Sequence, residues 1–387
     1  MPTLSSHRRR ILLILPDAAL GGGHSMNLRL ADQLTRSGWT IDVAFLFDRH
    51  GYLGYRNDFR QLRFIHMRAD GRLKRMFLPM RLTCLARKYH LVLAGLDLAA
   101  TNYGYAAARM AGRPFVSWVH IAFDEHSRSV SRVSRALSLW VYRHVSPIVF
   151  PSRGARDSLE SALGGKPASS EWHVIENFHD TSQPDDAVIS PPPANVFSRP
   201  VVLSIGRLSE QKAYDRLIRT HASLRRKGVE HHLAILGEGP ERDRLETLAA
   251  QLGVADTTFL PGHVHHPRTW LHSATVFALC SLYEGLPLVL IEALQAGLPV
   301  ASMDCPAGPR EILDGGKVGI LVPAGDEAAL ESAIARLLAD PALRATYAAR
   351  GKEKAKAYAP ETIVPRWEAL LAHLTEPVHA SKAAVSR

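Results

Sequence analysis

Two doubly wound α/β domains joined by a linker are the fold class predicted for this chain. Three observations predict it. Short β-rich runs alternate with helical stretches along the whole length, the alternation is interrupted once, between residues 180 and 200, and 387 residues suffice for two domains at roughly 100–200 residues each. Repeated strand–helix–strand order implies a parallel sheet covered on both faces, with ligands at the carboxyl ends of its strands.

The first strand is Ile11–Leu15, behind Arg8-Arg9-Arg10 and ahead of Pro16-Asp17. Three arginines before apolar residues imitate a secretory signal. Five such residues fall short of the about 7–15 of a signal core, and no small-residue cleavage site follows, so a buried strand is expected. Gly21-Gly22-Gly23-His24-Ser25 leads into a helix over about 23–37. Further β-rich runs are Ile41–Phe47, Phe64–Met67, Leu91–Leu93, Phe115–Val119, Ile148–Phe150 and Val174–Ile175. The helices between them fall at about 72–89, 101–111, 128–144 and 153–163.

The N-terminal domain is therefore expected over 1–180. Residues 181–199, polar, proline-rich and without periodicity, read as a linker. The alternation restarts for a second domain over 200–357. Its strands are Val201–Ile205, His232–Leu236, Thr258–Leu260, Val276–Leu279, Val300–Met303 and Ile320–Val322, and its helices fall at about 211–227, 240–252, 287–296 and 326–339. A last helix, Pro360 to Leu374, has an apolar side of Trp367, Leu370 and Leu371 next to Tyr358, and a small polar tail follows from about 375.

Cys84, Cys280 and Cys305 are too few and too scattered for a disulfide framework or a cysteine zinc cage. No apolar run approaches the about 18 residues of a spanning helix, and a cytoplasmic protein is expected. The net charge of +10 is unevenly spread: residues 1–180 hold 25 Lys and Arg against 14 Asp and Glu, whereas residues 181–387 hold 22 against 23. Within the first half, Arg56–His90 carries ten cations and two anions among large apolar residues. Such a stretch suits a phosphorylated substrate or an anionic membrane surface. Nucleic acid is not expected as a partner, because aromatics are 7% and no recognition motif interleaves them with cations.

The sharpest chemical feature is Leu282-Tyr283-Glu284-Gly285-Leu286-Pro287-Leu288-Val289-Leu290-Ile291-Glu292. A strand ends, a turn follows, and Pro287 occupies a favoured first helical position. The amides of Gly285, Leu286 and Leu288 then lie at a helix N-terminus, which suits an anion. Glu292, embedded in apolar sequence, needs partners: a ribose diol, or an intramolecular Arg or Lys. A second feature is Ser204-Ile205-Gly206-Arg207-Leu208-Ser209-Glu210-Gln211-Lys212, whose two cations after a strand suit a diphosphate. The Gly21–Gly23 loop allows close backbone approach to a ligand but is not the dinucleotide fingerprint. His120, at the tip of Phe115–Val119, suits a sugar hydroxyl or a purely structural role.

Taken together these residues resemble family 4 of the glycosyltransferases, a retaining group with the GT-B fold, in which two Rossmann-like domains face a central cleft. The resemblance is carried by Gly206-Arg207…Lys212, Leu236-Gly237-Glu238-Gly239-Pro240, Leu260-Pro261-Gly262, Glu284 and Glu292, Gly297-Leu298-Pro299-Val300, Gly308-Pro309-Arg310-Glu311-Ile312-Leu313 and Gly319-Ile320-Leu321-Val322-Pro323. The first half matches more loosely, through the glycine loop, His120 and Asn177.

The resemblance implies roles. Arg207 and Lys212, beside Gly206, would hold the donor diphosphate and Glu292 the ribose. Glu284, with Gly285, Leu286, Pro287 and Leu288, would contact the transferred sugar, which His120 would meet from the other domain. Gly22 and Gly23 would lie against the phosphates and Val264 against the nucleobase. The segment around Val264, His263 to His266, departs from the family pattern and leaves the base open; Asp304–Glu311 resembles transferases of UDP-activated hexoses or N-acetylhexosamines. No cofactor and no metal are expected, since there is no Asp-x-Asp motif and cations can replace a metal on the diphosphate. The acceptor implied is a glycan or lipid-linked glycan, reached at the inner face of a cell membrane. The last helix, 358–375, is expected to return to the N-terminal domain, as is common in the family. The alternatives are a GT-B epimerase or phosphorylase, or a basic nucleic-acid-binding protein.

Overall fold

The structure is a computed structural model that describes residues 9–18, 21–48, 58–123, 130–180, 193, 195–264 and 267–376. Two compact units are present. One comprises Met1–Pro151, Ala155–Glu176 and Pro360–Arg387; the other comprises Ser152–Gly154 and Asn177–Ala359. The second unit thus begins at Asn177, earlier than the sequence boundary at 180, because His179 donates its backbone N–H to the Tyr358 carbonyl at 3.1 Å. Most of the expected linker, residues 181–192 and 194, lies outside the described residues. Val196–Ser198 form a 3₁₀ turn, and Val196 is buried in the core of the second unit.

The first unit contains a seven-stranded sheet in the order β3-β2-β1-β4-β5-β6-β7. Its strands are β1 (Arg10–Leu15), β2 (Thr40–Phe45), β3 (Arg63–His66), β4 (Leu91–Ala94), β5 (Phe115–Trp118), β6 (Ile148–Phe150) and β7 (Trp172–Val174), and every pairing is parallel. The helices are α1 (Gly22–Arg36), α2 (Arg72–Ala86), α3 (Ala99–Ala111), α4 (Arg132–His144), α5 (Arg153–Leu163, whose first two residues count with the second unit) and, after the second unit, α13 (Pro360–Thr375). The run expected to be a strand and not a signal is β1, fully buried from Ile11 to Leu15 between β2 and β4. A strand covered on both faces reads as continuous apolar sequence, and this one does.

The second unit contains a six-stranded parallel sheet, β10-β9-β8-β11-β12-β13. Its strands are β8 (Val201–Ile205), β9 (His232–Leu236), β10 (Thr258–Gly262), β11 (Val276–Leu279), β12 (Val300–Asp304) and β13 (Ile320–Pro323). The helices are α6 (Tyr214–Arg226), α7 (Arg242–Gln251), α8 (Arg268–Ser273), α9 (Leu288–Ala296), α10 (Pro309–Ile312), α11 (Glu327–Ala339) and α12 (Pro341–Ala355). Helix α12 was not among the sequence expectations. Asp340 caps it by accepting from the Leu343 N–H at 2.9 Å, with Pro341 in the first turn. The helix expected over 211–227 is broken: Glu210–Lys212 form a 3₁₀ turn, Ala213 is left-handed at φ 49°, and α6 starts at Tyr214.

Helix α13 packs in the first unit. Trp367, fully buried, meets Trp118 of β5 with ring centroids 4.6 Å apart, and Arg9 donates to the Ala372 carbonyl at 3.0 Å. Trp367→Ala should lower the stability of this unit by about 3–5 kcal/mol, read by denaturant unfolding; a loss below about 1 kcal/mol would mean that the helix contributes little.

Under the second sheet a hydrogen-bonded chain runs from the Val229 carbonyl through His231 and His221 to Thr257, with contacts of 2.9, 2.8 and 2.9 Å. Burial, reinforced by His231 and Arg225, lowers the pKa of His221 to about 3, and burial also lowers that of His231. Both imidazoles are therefore neutral when folded at pH 7, yet in the unfolded chain they protonate near pH 6.5. Between those values the unfolded state binds more protons, so stability is complete above about pH 6.5 and falls as the pH drops toward 3. The loss is on the order of 1 kcal/mol per pH unit for each such group. The thermal midpoint should fall from pH 7 to pH 5, and His221→Asn should flatten that slope. A wild-type midpoint constant over this range would contradict the assignment.

Candidate active site

Three loops meet at the carboxyl ends of β8, β11 and β12. The loop after β8 carries Gly206 and Arg207. A Cβ on Gly206 would lie 3.0 Å from Lys212 Cε and 2.8 Å from the Tyr214 hydroxyl, so only glycine lets the lysine stem and that phenol pack here. The 3₁₀ turn Glu210–Lys212 is fastened to the loop after β11 twice: Leu282 N–H donates to the Gln211 carbonyl at 2.8 Å, and Gln211 Nε2 donates to the Tyr283 carbonyl at 2.9 Å. The Cys280 thiol donates to the carbonyls of Lys212 and Ala213 at 3.1 and 3.3 Å. These links account for the break in the expected helix.

The fastening brings Lys212 to Glu284. Lys212 Nζ lies 2.6 Å from Glu284 Oε1, and Ser281 Oγ donates to the same oxygen at 2.6 Å. Both members of the pair are largely buried, with side chains 15% and 8% exposed. The Glu284 N–H donates to the Pro306 carbonyl at 3.1 Å, which holds the loop after β12 against it. In that loop Gly308 is left-handed (φ +97°), and a Cβ there would strike Pro287 Cδ at 2.4 Å. Arg207 sits on the same loop system with an exposed side chain and no ion pair to another described residue. An exposed guanidinium on this loop and a lysine held by a buried carboxylate are groups that can bind an anion.

Gly285, Leu286 and Pro287 are buried between this loop and α9, and the Gly285 carbonyl accepts from Ser152 Oγ at 2.7 Å. Leu286 belongs to the apolar core rather than to an open surface. Pro287 is the cap residue, one position before the expected first helical place, and α9 starts at the half-buried Leu288. Glu292 stands one turn further on, half-buried, 3.3 Å from His179 Nδ1. A histidine thus stands beside it, where the sequence offered a ribose diol or an intramolecular arginine or lysine. Val264, partly buried against the core, follows the edge strand β10. His265 and His266 lie outside the described residues.

The remaining expected residues cluster in the first unit. Gly22 and Gly23 open α1, and a Cβ on Gly23 would lie 2.9 Å from Leu96 Cδ2 and 3.7 Å from the His120 ring. His120, buried, donates its backbone N–H to Asp97 Oδ2 at 3.0 Å, and its ring lies 4.2 Å from that of Trp118. Asn27 Nδ2 donates to the Gly23 carbonyl at 2.8 Å and lies 3.1 Å from His120 Nε2. Burial, with His24 nearby, lowers the His120 pKa to about 3. The imidazole is neutral across any ordinary assay pH and suits hydrogen bonding rather than charge.

Sequence reasoning missed Ser281, Gln211, His179, Asn27 and Asp97. Ser281 and Gln211 adjoin residues already singled out, so their position was a signal; the others act across long stretches of chain. No group of three His, Cys, Asp or Glu side chains is arranged to hold a metal ion among the described residues.

Two family patterns match. Glycosyltransferase Family 4 matches residues 20–183, and Glycosyl transferases group 1 matches residues 191–354. A lipopolysaccharide core biosynthesis glycosyltransferase of Rhizobium meliloti, LpsE, is 35% identical over 215 residues, covering 55% of this chain and 59% of that protein. A GDP-mannose-dependent alpha-(1-6)-phosphatidylinositol monomannoside mannosyltransferase of Mycolicibacterium smegmatis is 31% identical over 266 residues, 64% of this chain and 67% of that protein. The matched part spans less than two thirds of several other curated relatives, 64% in one from Methanocaldococcus jannaschii and 18% in one from Streptomyces coelicolor. Among solved structures, Anabaena HepE in complex with UDP and glucose superposes with a TM-score of 0.80 at 20% identity, covering 95% of this chain and all of that one. The two parallel sheets, the loops at their carboxyl ends and these matches have one reading: the chain belongs to the family 4, group 1 glycosyltransferases and has their GT-B fold.

Proposed function

We propose that this protein transfers a hexosyl or N-acetylhexosaminyl residue from a UDP-activated donor to a glycan or lipid-linked glycan, with retention of configuration. The observation that carries the reading is the Lys212–Glu284–Ser281 network, with the exposed Arg207 next in sequence to Gly206, against which the Lys212 stem packs. Arg207 and Lys212 take the diphosphate, and Glu284 and the 285–288 segment take the sugar. Glu292 takes the ribose, sharing its carboxylate with His179; Val264 lies toward the base. Gly22 and Gly23 are assigned to the phosphates and His120 to the transferred sugar by the family resemblance.

In the transfer, the bond from C1 to the diphosphate oxygen breaks and a bond from C1 to the acceptor oxygen forms on the same face. The acceptor proton passes to the departing phosphate oxygen, and UDP leaves. The cations stabilise charge that grows on the leaving group, which is where binding energy accelerates a reaction. Glu284 Oε1 already accepts from two donors, which suits a positioning role better than attack on C1. Uridine is supported by the UDP bound to HepE, and a lipid-linked or cell-surface glycan acceptor by the lipopolysaccharide core and phosphatidylinositol mannoside for which the two relatives are named. The mannosyltransferase is named for GDP-mannose, so guanosine is the base to set against uridine.

A thermal-shift screen against UDP, GDP and ADP tests the donor: a ligand at 100 times its dissociation constant adds about 2.7 kcal/mol. UDP is expected to stabilise the protein, and stabilisation by GDP alone would overturn the uridine assignment. Arg207→Ala should lower turnover about 100-fold with an unchanged thermal midpoint, because that side chain is exposed. Lys212→Ala should lower turnover and the midpoint together, since it strands a buried carboxylate. Glu292→Ala should weaken UDP binding about tenfold. Wild-type kinetics in both cation variants would end this reading of the site.

The two cations take the place of a metal on the diphosphate in this mechanism. Full activity in EDTA is the expected result. Loss of activity restored by manganese or magnesium would refute it.

A further inference from the structure

All eight large apolar side chains that are exposed among the described residues lie on three helices of the first unit. Leu73, Met76, Phe77 and Met80 stand on α2, Met110 on α3, and Val133, Leu137 and Trp140 on α4, each 46–79% exposed. On α2 and α4 they recur every three or four residues, so each forms a stripe along one side of its helix. The opposite sides are buried through Leu78 and Leu82 on α2 and through Val141 and Tyr142 on α4. Helix α3 packs against both α2 and α4, so the three form one layer.

The charge pattern of this layer is as one-sided as its hydrophobicity. Helices α2, α3 and α4 contain no aspartate or glutamate. They carry Arg72, Lys74, Arg75 and Arg81, then Arg109, then Arg132, Arg135 and Arg143. By contrast α1 carries Asp32, and α5 carries Asp157 and Glu160. The side chains of Arg72, Lys74 and Arg81 are exposed and make no ion pair with another described residue. Between α2 and the edge strand β3 lies a shallow, mainly apolar groove of about 420 Å³, lined in part by Ile65, Met67, Met80, Arg81, Cys84 and Lys88.

Exposed apolar side chains are ordinary when scattered; gathered on one face they mark a binding surface. A second copy of this chain is a poor occupant, because a symmetric contact would press two acid-free cationic faces together. We propose that this helical layer docks on an anionic lipid bilayer, its apolar stripes entering the headgroup region, its cations facing lipid phosphates and the groove beside β3 receiving an acyl chain. Met, Phe, Leu and Trp on a cationic helical face are the composition that such a surface takes up. The proposal deepens the lipid-linked-acceptor reading above by naming the surface on which such an acceptor is met, and rests on that reading for the acceptor alone. The sequence pointed only to Arg56–His90; the structure adds α4 and Trp140 on the same layer.

The experiment needs neither donor nor acceptor. Cys84 is exposed whereas Cys280 and Cys305 are buried, so a polarity-sensitive fluorophore can be attached at Cys84 alone. Full-length protein should sediment with phosphatidylglycerol vesicles at low salt, with a blue-shifted label, and stay in solution with phosphatidylcholine vesicles or in high salt. Removing a cation (Arg72→Ala, Lys74→Ala) should weaken partitioning roughly fivefold for each charge. Phe77→Ser with Trp140→Ser should abolish it while leaving the UDP-induced thermal shift intact, so that failure of this proposal and failure of the donor reading are seen separately. No sedimentation with anionic vesicles at low salt overturns the proposal, as does binding that all these substitutions leave unchanged. A dimer in solution that Trp140→Ser dissolves would assign the face to a second copy and overturn it equally.

Discussion

The site of the second unit depends on how one buried carboxylate is satisfied. Glu284 is placed at the end of β11 with its oxygen against a lysine ammonium and a serine hydroxyl, and a buried charge without such partners costs several kcal/mol. Meeting that demand dictates the backbone around it. Lys212 reaches Glu284 only because the chain turns sharply at Ala213, and Ala213 holds its left-handed conformation because Cys280 and Leu282 fasten the turn from the neighbouring strand end. Burial and the nearby Asp215 push the Cys280 thiol up to about 12, so it stays protonated and serves as a donor. The two glycines Gly206 and Gly308 are where neighbouring groups come too close for a Cβ.

The two units solve the same problem with different chemistry. In the second, charge is met by charge. In the first, burial keeps the His120 imidazole neutral, the Asn27 side-chain amide donates to the Gly23 carbonyl, and the His120 backbone N–H donates to the Asp97 carboxylate. A charged diphosphate and a neutral hydroxyl call for these two kinds of surroundings respectively, which is why the proposed division of labour follows the division of electrostatics.

Much of the fold was legible because central parallel strands are short apolar runs between turn residues. Ile148–Phe150, Val201–Ile205, His232–Leu236 and Val276–Leu279 coincide residue for residue with their predicted limits. The misreadings have physical causes. The helix predicted over 211–227 is broken by hydrogen bonds from residues about seventy positions away, which no local pattern encodes. For Glu292 the sequence offered a ribose diol or an intramolecular Arg or Lys, and could not show His179, which lies 3.3 Å away and comes from a distant stretch of chain. Pro287 was misplaced by one residue, the usual uncertainty where a helix starts. The Asp340-Pro341 start of α12 was readable and carries an ordinary capping signal.

Helix α13 has a consequence for how the protein is made. The first unit consists of residues from the beginning of the chain and from its end. Trp118 is fully buried, and its ring partner Trp367 is synthesised only after the whole of the second unit. Domains usually fold in order as they leave the ribosome. Here that order is inverted, because the second unit is complete in the emerging chain by Ala359, whereas the first keeps an aromatic face open until α13 arrives. The first unit is therefore finished after the second, and termination of synthesis after Ala359 but before Trp367 leaves Trp118 without its ring partner.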